Sequence, residues 1–595
     1  MNTVSERLEL LRNIMRIEGI SACIIPTSDP HQSEYTADYA KYRAWISGFT
    51  GSAGTLVVGQ DKAGLWTDSR YFIQAEIELQ GSGIDLFKLN TPGTLLLEEW
   101  ILQQDYGQIG IDGAVFSAKE VLSFQDFWSN TGISLKTDFK PYEQLWINRP
   151  PRPKNPFFIF PESQTGESVK SKLAKIRKEM AKEKTDILPI AMLDEIAWCF
   201  NLRGSDIAYN PVGICYACIS LEEAWLFADS IKITTEVRNW LDVNQIQLLK
   251  YDDFPHWLSQ LGEKRILLDG AKINYELFGQ IPMHCKIMEG TSPAYLLKGN
   301  KNSVELMGFR KAMIKDGIAL VRFNSWLEET LEALPAELDE FNVGKKIAIF
   351  RAQQAHYVCE SFSPIVAMNE HGAIVHYEAS EKNASKISKN GMLLIDTGGQ
   401  YLDGTTDITR SFFLGPNAPE AYMHDYTSIL KGVIALSTIL FPAGTRGVQL
   451  DVLARQFLWQ QSINFFHGTG HGVGHFLNVH EGPHSIRMNE NPTTLEPGMV
   501  VSNEPGIYRK DKWGIRLENM LAVCEHSTSE FGTFYAFETL TLFPFERNCI
   551  LVKELTTQEI DWINNYHQKI FQLLEPELNE KEKLWLKQKT AAIGR

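Results

Sequence analysis

The sequence predicts a multidomain chain of mixed α/β (α+β) class, and three observations carry that expectation. The chain has 595 residues, 44% hydrophobic and 22% charged, which is enough apolar sequence for more than one packed core. Its first half alternates short apolar runs with helix-patterned stretches, and does so on both sides of a proline-dense link. The remainder is richer in glycine turns and carries most of the unusual polar constellations.

The elements follow in chain order. MNTVSERLELLRNIMR has the spacing of an amphipathic helix. It lacks a basic start, an apolar run and a small-residue cleavage site, so no signal peptide is expected. SACIIPTSD, AGTLVVG, AGLWTDSRYF and GQIGIDG are apolar runs closed by turn residues and predict strands. NRPPRPKNP, residues 148–156, has four prolines in nine residues and predicts an extended link. A helical pattern, SVKSKLAKIRKEMAKEK, opens the next segment, and DILPIA, YACISL, AWLFA and RILLDG predict its strands. The plan resembles the first segment without a residue-level repeat. A second boundary falls near 298–302, before the long helix SVELMGFRKAMIKDGIALVRFNSWLEETL. The expected domains are therefore 1–147, 148–298 and 299–595. Near the end, Thr556 and Glu559 predict a capping box ahead of IDWINNYHQKIFQLL.

Composition excludes several classes. Lys and Arg total 58 against 73 Asp and Glu, a net of −15 with no basic block, so nucleic acid is not an expected partner. Eight cysteines are too few for a disulfide framework, and Cys215 and Cys218 sit in an apolar run that reads as core. No run of 18 apolar residues occurs, so no membrane span is expected. A reducing cytoplasm fits these features.

Four constellations point to chemistry. LLIDTGGQYLDGTTDITRSFF predicts two strands joined by a short connection, bringing Asp396 and Asp407 onto one face, with Asp403 as a turn residue. FFHGTGHGVGHFLNVHEGP holds His467, His471, His475 and His480, spaced by glycines. MVVSNEPGIY places Glu504 at a strand end, and GIRLENMLAV places Arg516 and Glu518 two apart on one expected strand. Read singly, such residues are more often turn, cap or surface groups. Together they supply four carboxylates and several imidazoles, and carboxylates converging on one core repel unless cations neutralise them.

In the order Asp, Asp, His, Glu, Glu and the contexts IDTGG, TTDITR, HGTGHGVG, NEPG and RLEN, the chain resembles the pita-bread metallopeptidases. SGFTGSAGTLVV with LWTDSRYFIQAE is similar to the creatinase-type N-terminal domain, and LDEIAWCFNLRGSDIAYNPV to the second such domain of the three-domain X-Pro aminopeptidases. The resemblance implies two creatinase-like domains followed by a pita-bread catalytic domain. It implies a metal-dependent aminopeptidase that cleaves the bond before a proline in second position, acting on peptides.

The resemblance also assigns residues. Asp396, Asp407, His471, Glu504 and Glu518 would hold two divalent ions, manganese first, with cobalt, iron or zinc as alternatives. Glu504 would also be the general base. His376 and His480 would handle the substrate and the transition state, with His467 nearby. Phe362, Val375, His480 and Tyr508 would line the proline pocket with Arg516 beside them, although Phe362 and Val375 serve equally well as core. Arg70 would reach the substrate or form a structural ion pair. A homodimer is implied as well.

Overall fold

The computed structural model describes residues 3–333, 335 and 337–594. The chain divides into two compact units, 1–162 with 167–296, and 163–166 with 297–595.

The first unit opens on α1 (Val4–Ile17), whose start is fixed by a Thr3–Glu6 capping box and whose Leu8, Leu11 and Met15 are buried at helical spacing. Met1 and Asn2 of the expected helix lie outside the described residues. Six strands follow: β1 (Ala22–Pro26), β2 (Thr55–Gly59), β3 (Ala63–Thr67), β4 (Asp85–Lys88), β5 (Gln108–Gly110) and β6 (Ser134–Lys136). They form one sheet in the order β4-β3-β2-β1-β5-β6. Past the proline-rich link comes α2 (Val169–Lys182), capped by Ser168 and burying Val169, Leu173, Ile176 and Met180. A second set of six strands follows: β7 (Ile187–Ile190), β8 (Tyr216–Ser220), β9 (Ala224–Phe227), β10 (Ile246–Leu249), β11 (Arg265–Leu268) and β12 (Lys286–Glu289). Their order is β10-β9-β8-β7-β11-β12. The two sheets have the same connectivity and the same sense at every pairing: two antiparallel joints, then parallel ones at both edges. The unit is thus a duplicated architecture without a duplicated sequence. Cys215 and Cys218 are buried free thiols in or beside β8.

The second unit begins with the long helix α3 (Ser303–Ala333) and α4 (Glu340–Arg351). Strands β13 (Tyr357–Glu360), β14 (Ile365–Met368), β15 (Met392–Thr397), β16 (Gly399–Tyr401), β17 (Gly404–Thr405) and β18 (Ile408–Phe413) follow. Two helices, α5 (Glu420–Thr438) and α6 (Gly447–Trp459), flank β19 (Phe441–Pro442). Then come β20 (Gly470–Gly472), β21 (Glu481–Ile486), β22 (Val500–Asn503), β23 (Gly506–Arg509), β24 (Trp513–Arg516), β25 (Asn519–Ser529) and β26 (Gly532–Thr539). The sheets are β14-β15-β18, β13-β16-β17, the pair β23-β24, and six strands in the order β19-β26-β25-β22-β20-β21. In the largest core, Tyr422, Tyr426 and Ile429 of α5 pack with Val500, Ile515 and Met520, and with Ile563 and Ile570 of α7 (Thr557–Leu574). Two sequence expectations change here. The connection between the strands bearing Asp396 and Asp407 is not a plain short loop, because β16 and β17 pair within it. Arg516 and Glu518 do not share a strand, since β24 ends at Arg516 and β25 starts at Asn519. Among the described residues no helix is long and apolar enough to cross a membrane.

The Thr556–Glu559 capping box closes both hydrogen bonds at the start of α7. Thr556→Ala is expected to cost about 1 kcal/mol and to speed amide hydrogen exchange in the first turn of α7. Unaltered exchange there would show that the cap contributes nothing.

Candidate metal centre

Register places the first two carboxylates. β15 and β18 are antiparallel with Asp396 opposite Thr409. Asp407 lies two residues before Thr409, so Asp396, Asp407 and Thr409 share one face. Thr409 then does what the sequence reading did not foresee. Its hydroxyl donates to Glu518 Oε2 at 2.8 Å and its oxygen accepts from Arg516 Nε at 3.2 Å. Its carbonyl accepts the Glu518 backbone N–H at 3.1 Å. The signal for it was the period of two from Asp407 on a strand.

The histidine comes from β20. A Cβ on Gly470 would sit 1.9 Å from the Ser502 carbonyl, so glycine is what lets β20 lie flush against β22. The His471 backbone N–H donates to Ser502 Oγ at 3.0 Å. His471 Nδ1 is 2.9 Å from the Gly472 carbonyl, which only accepts, so Nδ1 carries a proton and Nε2 faces the carboxylates. Nε2 lies 3.3 Å from Glu504 Oε1 and 3.5 Å from Asp407 Oδ2. Glu504, just past β22, is fixed by its own N–H to the Thr469 carbonyl at 2.8 Å and by Ser502 Oγ at 3.1 Å. Ser502, like Thr409, was not singled out from the sequence.

The electrostatics of this cluster are those of crowded anions. Burial pushes the Asp407 carboxyl well above the usual range, and the Glu518 and Asp396 charges push it further. Burial likewise raises Glu518, with Glu504 and Asp396 adding to it. Burial raises Asp396 against the opposing pull of Arg516. Burial would raise Glu504 too, but the His471 hydrogen bond and charge win and hold it at about 2. His471 answers in kind: burial lowers it, Glu504 overcomes that, and it rises to about 9. Asp396 Oδ1 and Glu518 Oε1 are buried with no hydrogen-bond partner, a costly state for an anionic oxygen unless a cation meets it. Asp407, His471 and Glu518 each turn one ligand atom to within 4.8 Å of the others. Hard carboxylate oxygens with one imidazole fit a manganese-, cobalt-, iron- or zinc-type ion rather than a thiolate site.

A hydrogen-bonded chain leads away from the cluster. Arg516 binds Asp396 Oδ2 and donates to Tyr508 Oη at 2.7 Å and to the Val375 carbonyl at 3.3 Å. Tyr508 Oη lies 2.8 Å from His467 Nε2, and His467 Nδ1 lies 2.7 Å from the Gly468 carbonyl. Burial lowers His467 to about 4, so its neutral ring accepts from Tyr508. Arg516 is buried and its carboxylate partner is Asp396, not Glu518. His480 packs against His471 with ring centroids 4.4 Å apart in a T-shaped arrangement. His376 is half-buried, next to Val375, whose carbonyl ties that turn to Arg516. Phe362 is buried between β13 and β14. His475 is buried against Phe309, and Asp403 sits in the β16–β17 turn paired with Lys315 and His356. Arg70, in the first unit, makes a two-pronged pair with Asp68 at 2.8 and 2.7 Å.

This strand framework with its carboxylate–imidazole cluster is that of a metallopeptidase. The chain belongs to metallopeptidase family M24, matched over residues 308–525. The Creatinase/Prolidase N-terminal domain matches twice, over 7–137 and 148–305, and the C-terminal region of the M24 peptidases over 533–593. The chain is 38% identical to Xaa-Pro aminopeptidase 1 of Dictyostelium discoideum, covering 98% of this chain and 96% of that one. It is 38% identical to Aminopeptidase P2 of Arabidopsis thaliana, covering 96% and 86%. A crystal structure of X-prolyl aminopeptidase from Caenorhabditis elegans, described as a cytosolic enzyme with a di-nuclear active site, superposes with a TM-score of 0.94 at 31% identity over 100% of both chains.

The shifted acidities set the pH dependence of metal uptake. Asp396, Asp407 and Glu518 hold their protons to higher pH in the folded state than in the unfolded one, so their protonated forms favour the metal-free fold at low pH and that contribution fades as pH rises. Ligands must be deprotonated to bind, so Mn2+ affinity is expected to climb with pH up to about 9, where His471 gives up its proton. Calorimetry in buffers of different ionisation enthalpy should record proton release on Mn2+ binding near neutrality, shrinking as pH rises. Thr409→Val should weaken Mn2+ binding by about 10- to 100-fold, and an unchanged affinity would remove Thr409 from the site.

Proposed function

We propose that the chain is a metal-dependent aminopeptidase that hydrolyses the bond between the first residue of a peptide and a proline in second position. The observation that carries this reading is the convergence of Asp396, Asp407, His471, Glu504 and Glu518 in a chain matched end to end by X-Pro aminopeptidases. These five side chains would hold two divalent ions, manganese first, with cobalt, iron or zinc as alternatives. When bound, such ions supply a Lewis acid for the scissile carbonyl and a water of lowered pKa.

The chain's own residues do the rest. Glu504, ionised and hydrogen-bonded through Ser502, takes the proton of the attacking water and returns it to the departing proline nitrogen. His376 and His480 donate to the oxyanion of the tetrahedral intermediate. Arg516 holds Asp396 in place while Tyr508 and His467 brace Arg516 from the other side. A bond before proline offers no N–H on the leaving side and a fixed φ, so the grip must be on the ring. Phe362, Val375, Tyr508 and the His480 ring are the apolar surfaces assigned to that grip. Arg70 at the substrate, pairing of two copies and a cytoplasmic location rest on the resemblance, the last supported by the cytosolic description of the nematode enzyme. The domain limits 1–147, 148–298 and 299–595 belong to the same reading.

Three measurements test it. Ala-Pro-Ala should be cut after alanine, and Ala-Ala-Ala far more slowly; comparable kcat/KM for the two would sink the specificity. Chelation should abolish turnover and Mn2+ restore it. His376→Ala and His480→Ala should each keep near-normal metal content and lose roughly 10²–10³ in kcat, about 3–4 kcal/mol. His471→Ala should lose metal and activity together, and near-native turnover in both other variants would refute their assignment.

A further inference from the structure

Beside the metal centre lies a buried ion triad that the reaction does not use. Glu481 Oε2 is 2.7 Å from Lys298 Nζ and Oε1 is 2.6 Å from Lys301 Nζ, with all three side chains at most 1% exposed. Buried ion clusters are weak stabilisers, because apolar residues of equal volume often hold a fold better. Overall stability is therefore a poor account of the triad, and its position offers a better one.

Glu481 follows His480 directly and opens β21, where it pairs with Gly472, the neighbour of His471. Its carboxylate is packed so closely that a Cβ on Gly474 would lie 2.7 Å from Oε2. The lysines come from the end of the short helix Pro293–Gly299 and the residues after it. That segment is locked from two further directions. The Lys301 N–H donates to the Gly498 carbonyl at 3.0 Å, and a Cβ on Gly299 would lie 2.6 Å from Pro483 Cδ. The triad thus fixes, from below, the backbone that presents the His480 ring against His471.

We propose that Lys298, Lys301 and Glu481 are positioning residues for His480: by clamping the first residue of β21 they set where the imidazole stands over the metal centre. This rests on the reading that His480 handles the substrate. The triad touches no substrate itself and acts only through that ring.

The test is a double-mutant cycle on the full chain, with Ala-Pro-Ala as substrate and saturating Mn2+. Glu481→Gln and Lys298→Met are each expected to lower kcat roughly tenfold or more, leaving KM within about threefold and bound metal unchanged. In a His480→Ala background the same substitutions are expected to change kcat by less than about twofold. Lys298→Met keeps the Lys301–Glu481 pair, so the cycle runs even if Glu481→Gln does not fold. Equal losses in the two backgrounds would overturn the proposal, as would unchanged kcat in the chain that keeps His480. Full turnover in His480→Ala alone would overturn both the triad's role and the assignment of His480, a pattern distinct from either of the others.

Discussion

Asp396, Asp407, Glu504 and Glu518 crowd one buried site, and like charges at that spacing repel unless each is answered. The protein answers part of the repulsion with its own groups. Arg516 takes Asp396, His471 takes Glu504, and the Thr409 hydroxyl takes one oxygen of Glu518. What is left over, a buried Asp407 and the unpartnered oxygens of Asp396 and Glu518, defines the shape and sign of what binds. The surrounding framework holds this arrangement against its own repulsion. Behind Asp396, Thr397 is gripped by Arg351, which is itself buried between Asp316 and Glu360. Behind Glu504, the Asp451–Arg455 pair of α6 braces the segment carrying Thr469 and His467. Anions are held close by a second ring of buried ion pairs.

Much of this was legible in the sequence, for reasons that are local. SACIIP, TLVVG, YACIS and AWLF are apolar runs long enough to declare strands, and the structure has strands there. Thr556 and Glu559 declare a helix start through three residues of spacing alone. The cluster's carboxylates stood out because Asp396 and Glu504 fall at strand ends before glycine turns, with Asp407 and Glu518 on neighbouring expected strands. The strands β16 and β17 were not legible, having three and two residues, too few to show a period. The split between Arg516 and Glu518 was hidden for a related reason, since a strand that breaks and resumes within two residues reads as one. Thr409 and Ser502 gave no signal of their own, because a hydroxyl that positions a carboxylate looks like any strand residue. The partnership of Lys298 and Lys301 with Glu481 spans some 180 residues of chain, beyond any local pattern.

The paired six-stranded sheets of the first unit show the complementary lesson. Their strands differ residue by residue, yet every joint has the same sense and order. Continuous apolar runs and turn placement specify which strands pair, while the identity of each apolar residue is free to drift provided volume and pattern survive. A search for repeated residues therefore misses a repetition that the hydrogen-bond ladder displays.

The line from Asp396 through Arg516, Tyr508 and His467 to the Gly468 carbonyl has a polarity. A phenol has one hydrogen to give. With that hydrogen committed to His467, the Tyr508 oxygen can only receive from Arg516, and His467 must keep its own proton for Gly468. Arg516 donates both ways, to Asp396 on one side and to Tyr508 on the other, and from Tyr508 outward each donor points away from the anions. A guanidinium cannot accept, so the order outward is fixed at its source: Tyr508 receives from Arg516, His467 from Tyr508 and the Gly468 carbonyl from His467.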